Sequence, residues 1–127
     1  MKNVKALFIN YHNNKDHLLM DFFKIGFFSV DITYNFIDTL NKINFNKYDI
    51  IFSDFNLDDS KILELLERIK KHQHCLNVPI VLIIEESHNL ILDKILNIIG
   101  GYEVITLPIS PEKVSTILKR FEKKDFQ

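Results

Sequence analysis

Short, β-branched apolar runs alternate five times with longer stretches of helical periodicity, and this alternation constrains the fold more than any other feature. Val4 to Ile9 reads V-K-A-L-F-I and stops at polar Asn10. Asn13-Asn14 then offer a helix N-cap, because a short amide side chain accepts from unpaired backbone N–H groups. Leu18, Leu19, Phe22, Phe23 and Ile25 follow at helical spacing, with Gly26 placed as the stop. Phe28, Val30 and Ile32 alternate with Ser29, Asp31 and Thr33, which is strand periodicity. A second helix carries Phe36, Ile37, Leu40 and Ile43 as its apolar residues.

Tyr48 to Phe52 is the third strand, with Ser53-Asp54 at its carboxyl end and a polar loop, Asn56 to Asp59, behind it. The next helix presents Ile62, Leu65, Leu66 and Ile69 on one face, pairs Glu64 with Arg68 one turn on, and leaves through Lys70-Lys71-His72. Cations suit the negative end of a helix. Val78 to Ile84 is continuously apolar, as a strand covered on both faces requires, and Pro79 near its start removes little ladder bonding. A fourth helix spans about His88 to Ile99, Gly100-Gly101 end it, and Val104 to Leu107 is the fifth strand. Ser110 then caps a last helix with Pro111 at its first position, where a missing N–H is harmless.

Strands alternating with helices imply an α/β domain with a parallel sheet. Right-handed crossovers leave few topologies, and the favoured one is a flavodoxin-like (βα)5 doubly wound sheet of order 2-1-3-4-5. Its ligand site falls at the carboxyl ends of strands one and three. The 127 residues make one domain, 1–127, of ordinary globular composition: 46% hydrophobic and 26% charged. Sixteen Lys+Arg against 17 Asp+Glu give a net charge of -1, so direct nucleic-acid binding is not expected. Three glycines, Gly26, Gly100 and Gly101, cannot compose a G-x-G-x-x-G or a P-loop. Cys75 is the single cysteine, which fits a reducing, cytoplasmic setting. No run approaches the roughly 20 apolar residues that span a bilayer, and the N-terminal apolar run is too short for a signal peptide.

Three local patterns carry a family resemblance. Asp54 closes Y-D-I-I-F-S-D-F-N-L, V-P-I-V-L-I-I follows it at a set distance, and L-P-I-S-P-E-K-V opens the last helix. In this order they resemble the receiver domain of bacterial two-component response regulators, over essentially the whole chain. The resemblance implies a phospho-accepting aspartate at Asp54. It also implies Mg²⁺ held by that aspartate and by an acidic pair ending strand one, with a backbone carbonyl at Asn56. A hydroxyl ending strand four, a lysine before the proline of strand five and an aromatic switch in strand five complete the family's site. Phosphoryl transfer to a carboxylate needs such help, because two unit charges about 4 Å apart repel by roughly 4 kcal/mol at an effective dielectric near 20.

The sequence departs at almost every one of those positions. Asn10 and Tyr11 stand where the acidic pair belongs, Ile84 where the hydroxyl belongs, Leu107 where the lysine belongs and Val104 where the aromatic belongs, with Tyr102 close by. Magnesium prefers carboxylate and water oxygens, so Asn10, Asp54 and Asn56 make a weak donor set. Asp54 admits two readings: a phospho-acceptor, or a polar strand end bonded to nearby N–H groups. Glu85, Glu86, Asp58 and Asp59 read as solvated or helix-start anions rather than displaced metal ligands. His12 sits in the loop beside the pocket, and His72-x-His74-Cys75 reads as a surface loop rather than a metal cluster.

The fourth helix places its apolar residues over an arc of about 160° and still carries Leu90 opposite them, among Asp93, Lys94 and Asn97. That excess reads either as a deep core or as a protein-binding face; the resemblance implies such a face on this helix and the fifth strand, marked here by Leu90, Lys94, Tyr102 and Val104. The expectation is an atypical receiver, not an enzyme, that stands alone and acts by contact with a signalling protein or a second copy. The alternatives are a working phosphorelay receiver on Asp54, and a small-molecule sensor using an apolar pocket near Ile84 and Leu107.

Overall fold

In the computed structural model, the residues described are 4–12, 28–55, 60–85 and 103–107, together with 112, 116 and 119. The strands are β1 (Val4–Ile9), β2 (Phe28–Thr33), β3 (Ile50–Asp54), β4 (Ile80–Glu85) and β5 (Glu103–Leu107). They form one sheet of order β2-β1-β3-β4-β5, and all four neighbouring pairs are parallel. This is the expected flavodoxin-like arrangement. The helices are α1 (Phe36–Phe45) and α2 (Ser60–Lys71), followed by a 3-10 turn over Gln73–Cys75. None of the helices among the described residues is long and apolar enough to cross a membrane. The expected helices at 13–26 and 88–99 lie outside the described residues, as does most of the last helix.

Alternation along each strand sorts the core. Leu7 and Ile9 of β1, Ile51 of β3, and Ile80, Leu82 and Ile84 of β4 meet α1 and α2 on one face. α2 supplies Ile62, Leu65, Leu66 and Ile69, all fully buried, as the helical spacing predicts. Each such side chain contributes about 1.5–3 kcal/mol of burial. On the other face Phe8, Phe52, Val81 and Ile105 are equally buried. That accounts for the unbroken apolar reading of β4.

α1 departs from its sequence reading. Ile37 is 71% exposed, and Thr39 is buried in its place. The hydroxyl of Thr39 donates to the Asn35 carbonyl (2.7 Å), so the Thr33 hydroxyl must donate to Thr39 across 2.8 Å. A threonine that satisfies its hydroxyl locally can occupy a core position that an apolarity count gives to isoleucine. Asn35 caps the helix: its Oδ1 accepts from the Asp38 N–H (2.8 Å) and its Nδ2 donates to the Asp38 carboxylate (2.9 Å). Pro79 precedes β4, and its carbonyl accepts from the Ile51 N–H at 3.0 Å.

The His72–Cys75 stretch is more ordered than a surface loop. The His74 N–H donates to His72 Nδ1 (3.0 Å), so the His72 proton lies on Nε2, 2.9 Å from the Asn44 carbonyl oxygen of the side chain. His74 Nδ1 reaches the Ile43 carbonyl at 2.9 Å. Both nitrogens of His72 are committed, and Cys75 is buried, which pushes its thiol above the ordinary value. These groups fasten the end of α2 to the end of α1.

Candidate functional site

Parallel pairing brings the ends of β1 and β3 together. Ile9 is in register with Ser53, so Asn10 and Asp54 stand side by side at the carboxyl edge. Asn10 is buried, and its N–H donates to the Thr33 carbonyl at 2.8 Å, tying β1 to β2 where the strand ends. The chain then turns through Tyr11 and His12. That turn aims two consecutive amides at Asp54. The Tyr11 N–H donates to Oδ1 at 3.1 Å and the His12 N–H donates to Oδ2 at 2.6 Å. The His12 imidazole adds Nδ1 at 3.2 Å from the same Oδ2.

Asp54 is thus capped by the chain's own backbone. Its side chain is 7% exposed, and both carboxylate oxygens accept from the Tyr11–His12 turn. Burial pushes its pKa above the ordinary carboxylate value, while the His12 and Tyr11 amides and the imidazole charge pull it part of the way back. The opposing effects have one source: the turn that supplies the donors also excludes water.

This arrangement does not fit a magnesium ion. A hard cation needs several oxygens converging on one point. Here amide hydrogens point at the two oxygens of Asp54, and the neighbouring strand end offers the neutral Asn10 in place of an acid. Asn56 lies outside the described residues.

Two other expected positions, Ile84 and Leu107, fall at the same carboxyl edge of the sheet. Asp54 is in register with Ile83, and the next residue, Ile84, is buried in the core cluster with α1 and α2. Leu107 ends β5 in register with Glu85, and the side chains of both lie outside the described residues. Val104 is half-buried and packs against the core. Leu90, Lys94, Tyr102, Asp58, Asp59 and Glu86 also lie outside them. A groove of about 520 Å³ opens instead between the starts of α1 and α2, walled by Tyr11, Phe36, Ile37, Lys61 and Glu64.

The same fold is found in solved structures. A two-component response regulator from Clostridium difficile superposes over 98% of this chain and 99% of its own, with a TM-score of 0.74 and 26% identity. The fold is that of a response-regulator receiver domain. Vibrio cholerae chemotaxis response regulator CheY4 superposes over 94% of this chain and 99% of its own, with a TM-score of 0.76 and 16% identity. The receiver domain of a Pseudomonas aeruginosa sensor histidine kinase, which has a magnesium ion coordinated in its active-site cleft, gives a TM-score of 0.77 at 15% identity, over 94% of this chain and 98% of its own. Among curated proteins, "Probable transcriptional regulator ycf29" of Porphyra purpurea is 26% identical over 99 residues, 77% of this chain. The chain spans 46% of that protein's length. No protein-family profile matches the sequence.

Sequence reasoning located Asp54 and the substitutions around it. One of its two readings of Asp54, a strand end bonded to nearby N–H groups, matches the contacts seen, but it did not say that Tyr11 and His12 supply them. Backbone amides have no letter in a sequence, and the one available signal was His12 directly after the position of the family's acidic pair.

Proposed function

We propose that this receiver acts in signal transduction through protein–protein contact, with aspartyl phosphorylation impaired. The observation that carries this reading is the pair of amides on Asp54. An in-line attack on phosphorus requires a carboxylate oxygen with a lone pair facing the donor, in a site that neutralises the incoming charge. Both oxygens of Asp54 already accept from the chain's own backbone, so a phosphoryl donor has to compete with those amides. The acidic pair that would recruit a cation is Asn10 and Tyr11, and the hydroxyl and lysine positions are Ile84 and Leu107. Burial among donors also gives Asp54 a structural task. It closes the turn after β1 and joins the ends of β1 and β3.

In this reading the domain is a fixed-state adaptor and not an enzyme. Signal would pass by which partner it engages, a signalling protein or a second copy, and not by the phosphoryl content of Asp54. The expected partner face of Leu90, Lys94, Tyr102 and Val104 belongs to the same proposal. A phosphoryl mimic tests it. Beryllium fluoride with Mg²⁺ is expected to leave the amide resonances of Tyr11, His12 and Asp54 unmoved. Saturable shifts at those amides, abolished by Asp54→Asn, would favour a working phosphorelay receiver.

A further inference from the structure

The exit of α2 is closed by a histidine that can do so only as a neutral ring. His72 caps the 3-10 turn, and its Nδ1 accepts the His74 N–H across 3.0 Å. An imidazole nitrogen accepts only through its lone pair, so a proton on Nδ1 turns the acceptor into a second donor aimed at the first. Nε2 offers no substitute, because it already donates to the Asn44 side chain at 2.9 Å. His74 differs: its Nδ1 donates to the Ile43 carbonyl at 2.9 Å, and a second proton on Nε2 leaves that bond intact. The two rings meet edge to face with centroids 4.9 Å apart, so a charge on one opposes a charge on the other. The cap holds more than one bond. The Cys75 N–H donates to the His72 carbonyl at 2.9 Å, and the Val78 N–H donates to the Cys75 carbonyl at 3.2 Å, so the turn leads straight into β4. Cys75 itself is 5% exposed and belongs to the core cluster.

The charged groups of the elements that meet here supply no anion partner for a His72 cation. Lys42 lies in the last turn of α1, and Arg68, Lys70 and Lys71 lie in the last turn of α2. Arg68 is paired with Glu64, and Glu67 sits one turn before Lys70 and Lys71. Beyond α1, Lys47 and Asp49 flank Tyr48; the Tyr48 hydroxyl donates to Asp31, and Asp49 accepts from the Lys5 N–H. Among the described residues, no carboxylate is paired with either imidazole. We infer that His72 makes this turn an acid-sensitive latch: a proton on its Nδ1 displaces the His74 N–H, opens the turn between α2 and β4 and uncovers the Cys75 thiol. The latch lies before the amino end of β4, whereas Asp54 lies at the carboxyl end of β3, and it works whether or not Asp54 accepts phosphate.

Labelling of Cys75, the single thiol, by 4,4′-dithiodipyridine reads the opening on the full chain. Dividing its rate by that of the urea-unfolded chain at the same pH removes the thiol's own ionisation. With the ring of the opened turn titrating near the ordinary ~6.5, this relative rate should rise about tenfold from pH ~7.5 to pH ~5.5. His72→Asn is the deciding variant. An Asn side-chain oxygen is a good cap acceptor and takes up no proton in this range, so Cys75 should stay protected and the pH step should vanish. His74→Gln keeps a donor for the Ile43 carbonyl and should keep the step. A flat relative rate in wild type overturns the inference, as does a step that survives His72→Asn or disappears in His74→Gln. NMR of wild type decides without any substitution: the His74 amide should lose its exchange protection as the His72 ring becomes charged. A His74 amide that stays protected beside a charged His72 overturns the latch.

Discussion

Replacing Asp54 by alanine should release the Tyr11 and His12 amides, and the size of the effect follows from their geometry. Both N–H groups donate to the carboxylate, at 3.1 and 2.6 Å. A hydrogen bond to a charged group contributes about 1.5–3 kcal/mol net. Opening the turn breaks both and so costs about 3–6 kcal/mol. At about 1.4 kcal/mol per tenfold, the turn is open roughly once in 10² to 10⁴ molecules. Amide hydrogen exchange reads that population directly. At neutral pH the two amides should exchange about 10² to 10⁴ times slower than unstructured peptide. In Asp54→Ala their protection should collapse toward unity while the amides of β1 and β3 keep theirs. Fast exchange of both amides in the wild type would refute the cap, as would protection that survives the substitution.

Two further outcomes concern Tyr48 and the ionisation of Asp54. Tyr48, buried near the start of β3, donates its hydroxyl to Asp31 at 2.7 Å, and burial followed by that bond raises its phenol well above the ordinary value. Tyr48→Phe should lower stability by about 1.5–3 kcal/mol in urea denaturation, because Asp31 loses a donor; an unchanged midpoint would contradict this. Asp54 has a folded pKa raised above its ordinary 3.8. Its stabilising contribution is therefore complete below 3.8 and declines as pH rises through the folded value, where the buried carboxyl must ionise. Urea midpoints measured stepwise upward from that pH should show this decline in wild type and lose it in Asp54→Asn; parallel curves would rule it out.

The sheet was legible because its determinants are side-chain patterns. The unbroken apolar run at β4 and the Ile62/Leu65/Leu66/Ile69 stripe each require one kind of burial, and the structure places them there; alternation in Phe28–Thr33 marked the strand, but Thr33 on its polar side is buried while Val30 and Ile32 are only half-buried. α1 was only half legible. Its start and its buried Ile43 follow from spacing, but apolarity alone cannot tell that Thr39 satisfies its hydroxyl against Asn35 and Thr33 while Ile37 faces out. The His72–His74 fastening escaped for a related reason: its acceptors are the Ile43 carbonyl and Asn44, 31 and 28 residues away. At the candidate site the substitutions at Asn10, Tyr11, Ile84 and Leu107 were readable, and so was what they remove. That Asp54 could bond nearby N–H groups was one of two readings, but not that Tyr11 and His12 supply them, because those main-chain amides are positioned by the β1–β3 register.

The central claim is that Asp54 is held by its own chain and does not accept phosphate as a working receiver does. Intact mass spectrometry after incubation with acetyl phosphate and Mg²⁺ tests it most directly. The cap predicts that wild type and Asp54→Asn stay at their unmodified masses under conditions that phosphorylate a working receiver. A stoichiometric single-phosphoryl adduct on wild type, absent from Asp54→Asn, would contradict it.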